Sequence, residues 1–188
     1  MKALIKHNSQ DLVPEVLPVM PTMDVVVFPH IIVPLLVLDE KIIAGIDQAL
    51  EASKMVLLLA AKDQEEDNTD GISTNDLHTV GTIGSIMRII KIPEGGIKIL
   101  VQGICKAKVH TISSEENMLH ASIERIELDT GDPQAIDNCI LRIKTIAEKM
   151  ISSGYAFSPD FHTILSKMQD PQKIGEFILT HLNLSVAH

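Results

Sequence analysis

Tryptophan is absent from this sequence and aromatic residues make up only 3% of it, so any core must be assembled from Ile, Leu, Val and Met. Cysteine is nearly as scarce. Cys105 and Cys139 are too few for a disulfide framework and lack metal-ligand spacing, which points to a reducing compartment. Positive charge is in deficit as well. A formal net charge of −9 argues against nucleic acid as the main partner, because neutralising a polyanion takes clustered Lys and Arg. The chain has neither the ~18 consecutive apolar residues of a membrane span nor the apolar stretch of a signal peptide. These absences predict a soluble, cytoplasmic protein with protein partners and no membrane.

Catalytic signatures are missing too. There is no G-x-x-x-x-G-K-S/T phosphate loop, no H-E-x-x-H zinc helix, no G-x-S-x-G elbow and no S-x-x-K pair. The chain therefore reads as no enzyme by itself, with no cofactor and no metal. His30, His78, His110, His120, His162 and His181 stand isolated in sequence, as ordinary surface or hydrogen-bonded histidines do. Glu66 to Gly71 imitates the start of a calcium loop, but Leu77 occupies the position where a bidentate Glu must stand. The segment from Asp63 to Asp76 reads instead as a solvated acidic loop.

The apolar residues that are present fall into two periodicities. From Val16 to Val37, short aliphatic runs are interrupted by Pro18, Pro21, Pro29 and Pro34, which predicts edge or kinked strands, since proline removes a ladder donor. Asp39 is placed to cap a helix over Glu40 to Ser53 whose stripe is Ile42, Ile43, Ile46, Ala49 and Leu50. Met55 to Ala61 has the length and continuity of a strand buried on both faces. Val80 to Ile92 and Ile97 to Ile112 flank Pro93-Glu94-Gly95-Gly96 and form a predicted long hairpin. In its second arm Ile97, Ile99, Val101, Gly103, Cys105, Ala107 and Val109 share one face. A last strand, Met118 to Leu128, changes phase near Glu124 and Arg125, as at a bulge.

After Asp129-Thr130-Gly131 the period becomes 3.6. Asp132-Pro133, Ser158-Pro159 and Asp170-Pro171 each pair a capping residue with proline at the first helical position. The first helix carries Ile136, Ile140, Ile143, Ile146, Ala147 and Met150 and should stop at Gly154. The second carries Phe161, Ile164, Leu165 and Met168, and the third Ile174, Phe177, Ile178 and Leu182. Ser185 could cap a fourth helix, so the bundle reads as truncated. The fold class is α+β, a β-rich domain over 12–128 followed by a helical bundle over 129–188.

Leu17-Pro-Val-Met-Pro-Thr-Met-Asp24 through Phe28-Pro29 to Pro34-Leu35, then Val80-Gly81-Thr82, then Val101-Gln-Gly103, resembles the N-terminal domain of ATP-dependent Lon proteases. Met23 departs from that family's pattern, which has Arg before the Asp. The likeness runs from about Leu12 to Ser185. It implies a PUA-like, mixed-strand pseudo-barrel with one helix, joined to the bundle. It also implies a non-catalytic role: selecting unfolded or degron-bearing proteins and organising a homo-hexamer. ATP, Mg and the Ser-Lys peptidase would belong to other parts of such a protein. Met20, Met23, Phe28, Pro29 and Leu35 are the candidate substrate contacts, on the expectation that Pro18 to Leu35 lies near an exposed sheet edge where an unfolded segment could add as a strand or lay its apolar side chains across the same surface. The other reading of these side chains is that they complete the barrel core. The alternative is a freestanding protein- or RNA-binding module of the same fold, with Arg88, Lys91, Lys98, Lys106 and Lys108 as its basic face. The lack of interleaved exposed aromatics weighs against RNA.

Overall fold

A computed structural model describes residues 13–23, 25–62, 73–93, 95–115, 118–127 and 131–182. Most of the acidic loop, including Glu66 to Gly71, lies outside the described residues, as do Asp24, Glu94 and Ser185. The chain divides into two compact units between Ile126 and Glu127.

The first unit is one six-stranded sheet in the order β2-β5-β4-β3-β1-β6, in which β5 also pairs with β6 and so closes five of the strands into a ring. The strands are β1 (Val16–Thr22), β2 (Ile32–Val37), β3 (Met55–Ala60), β4 (Val80–Lys91), β5 (Ile97–Glu115) and β6 (Met118–Arg125). Helix α1 (Glu40–Glu51) follows β2. It starts where the Asp39 carboxylate accepts the Lys41 and Ile42 amides, at 2.7 and 3.3 Å.

Contrary to the expectation from its prolines, β1 is central. Val16 to Pro18 pair with β6, and Val19 to Thr22 pair with β3 in parallel. The strand changes partner at mid-length, so each half is laddered on one side only and the donors missing at Pro18 and Pro21 can be tolerated. Strand β2 does lie at the edge, paired among the described residues with β5 alone.

Two aliphatic cores share the sheet. Inside the ring sit Leu17, Leu57, Leu59, Ile83, Ala107, Ala121 and Ile123. The other groups Met20, Leu35 and Val37 with Ile46 and Ala49 of α1 and Val56, Leu58, Ile99 and Val101. Strand β3 feeds both, which is why its whole length is apolar. Strand β5 also feeds both, but by a different device. Ile83 pairs with Cys105 and Gly84 with Gly103, so Ile104 is an extra residue opposite β4. That bulge swings the inward stripe of β5 from one core to the other. A second irregularity leaves His110 extra opposite β6, so the bulge expected in β6 near Glu124 and Arg125 is found in β5.

The helical unit contains α2 (Pro133–Ser152), α3 (Phe161–Lys167) and α4 (Pro171–His181). Asp132 and Asp170 cap α2 and α4 ahead of their prolines. Ser158-Pro159 does not open α3 directly; it forms a turn, with the Phe161 amide on the Ser158 carbonyl, and the helix begins at Phe161. α2 ends as Gly154 turns to φ +89, with the Tyr155 amide on Met150 and the Gly154 amide on Ile151. The core is Ala147, Phe161, Leu165 and Ile174. Phe157, Phe161 and Phe177 stack in series with Tyr155 and His181 at the ends. Four of the five aromatics therefore serve this unit, and the aliphatic interior predicted from composition describes the sheet unit only. The α2 stripe is also narrower than predicted, because Ile143 is 36% exposed and Ile146 points further out.

Candidate functional site

The Gly103 amide donates to the Ile31 carbonyl at 2.9 Å, which sets the parity of the β2–β5 ladder. Val33, Leu35 and Val37 exchange hydrogen bonds with β5, so the backbone groups of Ile32, Pro34 and Leu36 point away from it. Pro34 therefore places its missing donor on the free edge. That arrangement blunts strand addition, and the expected pairing of an unfolded segment along this edge is corrected accordingly.

Register fixes what the face of this region displays. Across β2, β5 and β4 the outward rows are Leu36–Lys98–Ile90, Pro34–Leu100–Arg88 and Ile32–Gln102–Ser85. Leu36 is 60% exposed and Ile90 48%. Leu38 and the bulged Met87 extend the exposed apolar surface nearby. Aliphatic side chains interleaved with a Lys and an Arg thus make a sheet face that can take apolar side chains. Exposed apolar groups grouped in this way mark an interaction site more than scattered ones do.

The residues singled out from sequence are dispersed. Met20 is 3% exposed and Leu35 8%; both belong to the core beneath α1. Pro29 is fully buried. These three are corrected to core positions, because their side chains complete the packing and cannot reach a ligand. Phe28 is half-buried beside a cavity of about 120 Å³ that Val26, Val80 and Lys106 also line. Met23 is 50% exposed. Sequence reasoning missed Ile32, Leu36 and Ile90: alternation puts Leu35 and Leu36 on opposite sides of β2, but it does not say which side is buried.

Among the described residues no three His, Cys, Asp or Glu side chains are grouped to hold a metal ion. Leu77, at the position a calcium ligand would need, is packed inside the ring. Burial pushes the Cys105 thiol above its ordinary pKa, partly offset by the charge and hydrogen bond of Arg125. No helix among the described residues is long and apolar enough to cross a membrane.

Residues 16–188 match the ATP-dependent protease La (LON) substrate-binding domain. The chain belongs to this family. It is 33% identical over 171 residues to the Lon protease of Escherichia coli K12, covering 91% of this chain and 21% of that protein. It is 32% identical over 176 residues to Lon protease 2 of Bdellovibrio bacteriovorus, covering 93% and 22%. The chain thus spans about a fifth of the length of these relatives. Its fold is similar to that of the N-terminal domain of a Mycobacterium avium complex Lon protease, with a TM-score of 0.70 at 21% identity over 92% of this chain and 86% of the other.

In this Lon substrate-binding domain the motif residues act on the fold. A Cβ on Gly103 would collide with the Phe28 carbonyl oxygen, and one on Gly81 with the Leu58 carbonyl oxygen. The buried Thr82 hydroxyl donates to the Val27 carbonyl at 2.6 Å, and Thr22 to Val25 at 2.7 Å. Together they clamp the Val25 to Pro29 segment against the sheet, which sets the course of the chain into β2.

Proposed function

We propose that this domain captures unfolded or degron-bearing protein segments for a Lon-type ATP-dependent protease, and that the β2-β5-β4 face is where they dock. The family match carries the substrate-binding role, and the exposed aliphatic rows around Leu36 and Ile90 supply the surface. In this reading ATP, Mg and a Ser-Lys peptidase belong to other parts of the parent protein, which assembles as a homo-hexamer. The chain's own residues bind and orient the substrate. Docking is by side chains across the face, because the Pro34 edge offers a broken row of donors. Met23 and the rim of the Phe28 cavity form a secondary contact.

Fluorescence anisotropy of the chain with a labelled, permanently unfolded model protein tests this. Leu36→Ser with Ile90→Ser removes two exposed aliphatic contacts and should weaken binding about tenfold, with the circular dichroism spectrum unchanged. Undiminished binding by the folded double variant would remove this face from the proposal.

A further inference from the structure

The candidate face has a sign. Strands β2 and β4, and β5 as far as Ser114, contain no Asp or Glu, and the outward rows hold Lys98 and Arg88 in a chain whose net charge is −9; Lys91 falls in the Val37–Ile97 row, and Lys106 and Lys108 lie beyond the Ile104 bulge. Lys98 stands between Leu36 and Ile90 in one outward row, and Arg88 stands beside Leu100 in the next. Such diagonal neighbours lie about 7 to 8 Å apart. Neither makes an ion pair among the described residues. Glu94, in the turn between β4 and β5, lies outside the described residues; Asp39 and Glu40, which follow β2, open α1, where the Asp39 carboxylate accepts from the Lys41 and Ile42 amides.

Resting on the docking role proposed above, we infer that this face selects apolar segments that carry acidic residues, with Lys98 and Arg88 receiving the carboxylates between aliphatic contacts. Carboxylates two positions apart on an extended segment are roughly 7 Å apart, which matches the spacing of the two cations. Apolar residues further along the same side of the segment then reach Leu36 and Ile90. A polyanion without apolar groups satisfies only half of the face, and the sheet unit has one aromatic residue, the half-buried Phe28, for stacking bases.

Three labelled peptides with identical aliphatic positions, and either two Asp, two Asn or two Lys at central positions two apart, are titrated with the full chain. Each exposed cation is worth about threefold, so the Asp peptide should bind on the order of tenfold tighter than the Asn peptide and the Lys peptide weakest. The difference should shrink in about 1 M salt, where the screening length falls to roughly 3 Å. Lys98→Met with Arg88→Met keeps the aliphatic stems and should bring the Asp peptide down to the Asn affinity while leaving the Asn peptide unchanged.

Equal binding of the Asp and Asn peptides, with both weakened by Leu36→Ser and Ile90→Ser, overturns the acidic preference and leaves the docking face standing. Binding of every peptide unaffected by Leu36→Ser and Ile90→Ser overturns the docking face itself. An oligouridylate that binds more tightly than the Asp peptide and is released by Lys98→Met and Arg88→Met assigns the face to nucleic acid. A dimer that dissociates on Leu36→Ser assigns it to a second copy of the chain. Either result overturns the inference.

Discussion

A methyl group at Gly103 has nowhere to go, because the Phe28 carbonyl and the Pro29 Cα fill the space above it. Gly103→Ala should therefore cost about 2 to 4 kcal/mol in urea denaturation, as the clamp on the Val25 to Pro29 segment is pushed off the sheet. Gly175 gives the opposite sign. It lies inside α4 with open space where a methyl would project, so Gly175→Ala should stabilise the chain by about 0.5 to 1 kcal/mol through lost unfolded-state freedom. At Cys105, burial raises the thiol pKa, so the folded chain ionises this group less readily than the unfolded chain does. Its contribution to stability is intact below the ordinary thiol pKa of about 8.5 and is lost as pH rises through the raised value. Iodoacetamide at pH 8 should accordingly modify the exposed Cys139 well before Cys105.

At the scale of elements, α3 is held by a side chain from α2. The Lys144 ammonium donates to the Met168 carbonyl at 2.7 Å and to the Ser166 carbonyl at 3.4 Å, where the last carbonyls of a short helix need partners. Lys144→Met keeps the stem and removes the donor, and should cost about 1 kcal/mol in thermal or urea unfolding. The α2 stripe behaves differently from its sequence pattern. Ile143→Asp, expected from periodicity to put a charge in an apolar seam, should cost under about 1 kcal/mol because the side chain already meets water. Phe161→Ala, by contrast, removes the fully buried centre of the aromatic series and should cost about 3 to 5 kcal/mol. Periodicity identified α2 as an amphipathic helix, but the width of its buried face depends on how closely α3 and α4 approach.

At the scale of the molecule, the two units have unequal means of support. The sheet unit buries two aliphatic clusters and closes a ring of strands, whereas the helical unit, Glu127–Leu184, rests on four buried apolar side chains among the described residues and an aromatic stack. A unit of that length is marginal by itself, so hydrogen exchange should reveal α2 to α4 opening at lower free energy than β3 to β5. Uniform protection across both units would contradict this. What the sequence by itself determined was local: the caps at Asp39, Asp132 and Asp170, the turn at Gly95-Gly96, the doubly apolar β3, the alternation along β5 and the order of motifs that places the chain in its family. These features depend on residues close together in the chain. Only the tertiary structure decided that β1 is central, because its two halves find different partners, and that the single stripe of β5 serves two cores, because Ile104 is inserted at a bulge. It also decided that Leu36 faces water while Leu35 faces the core, since the side of a strand that is buried depends on long-range register and cannot be read from the strand alone.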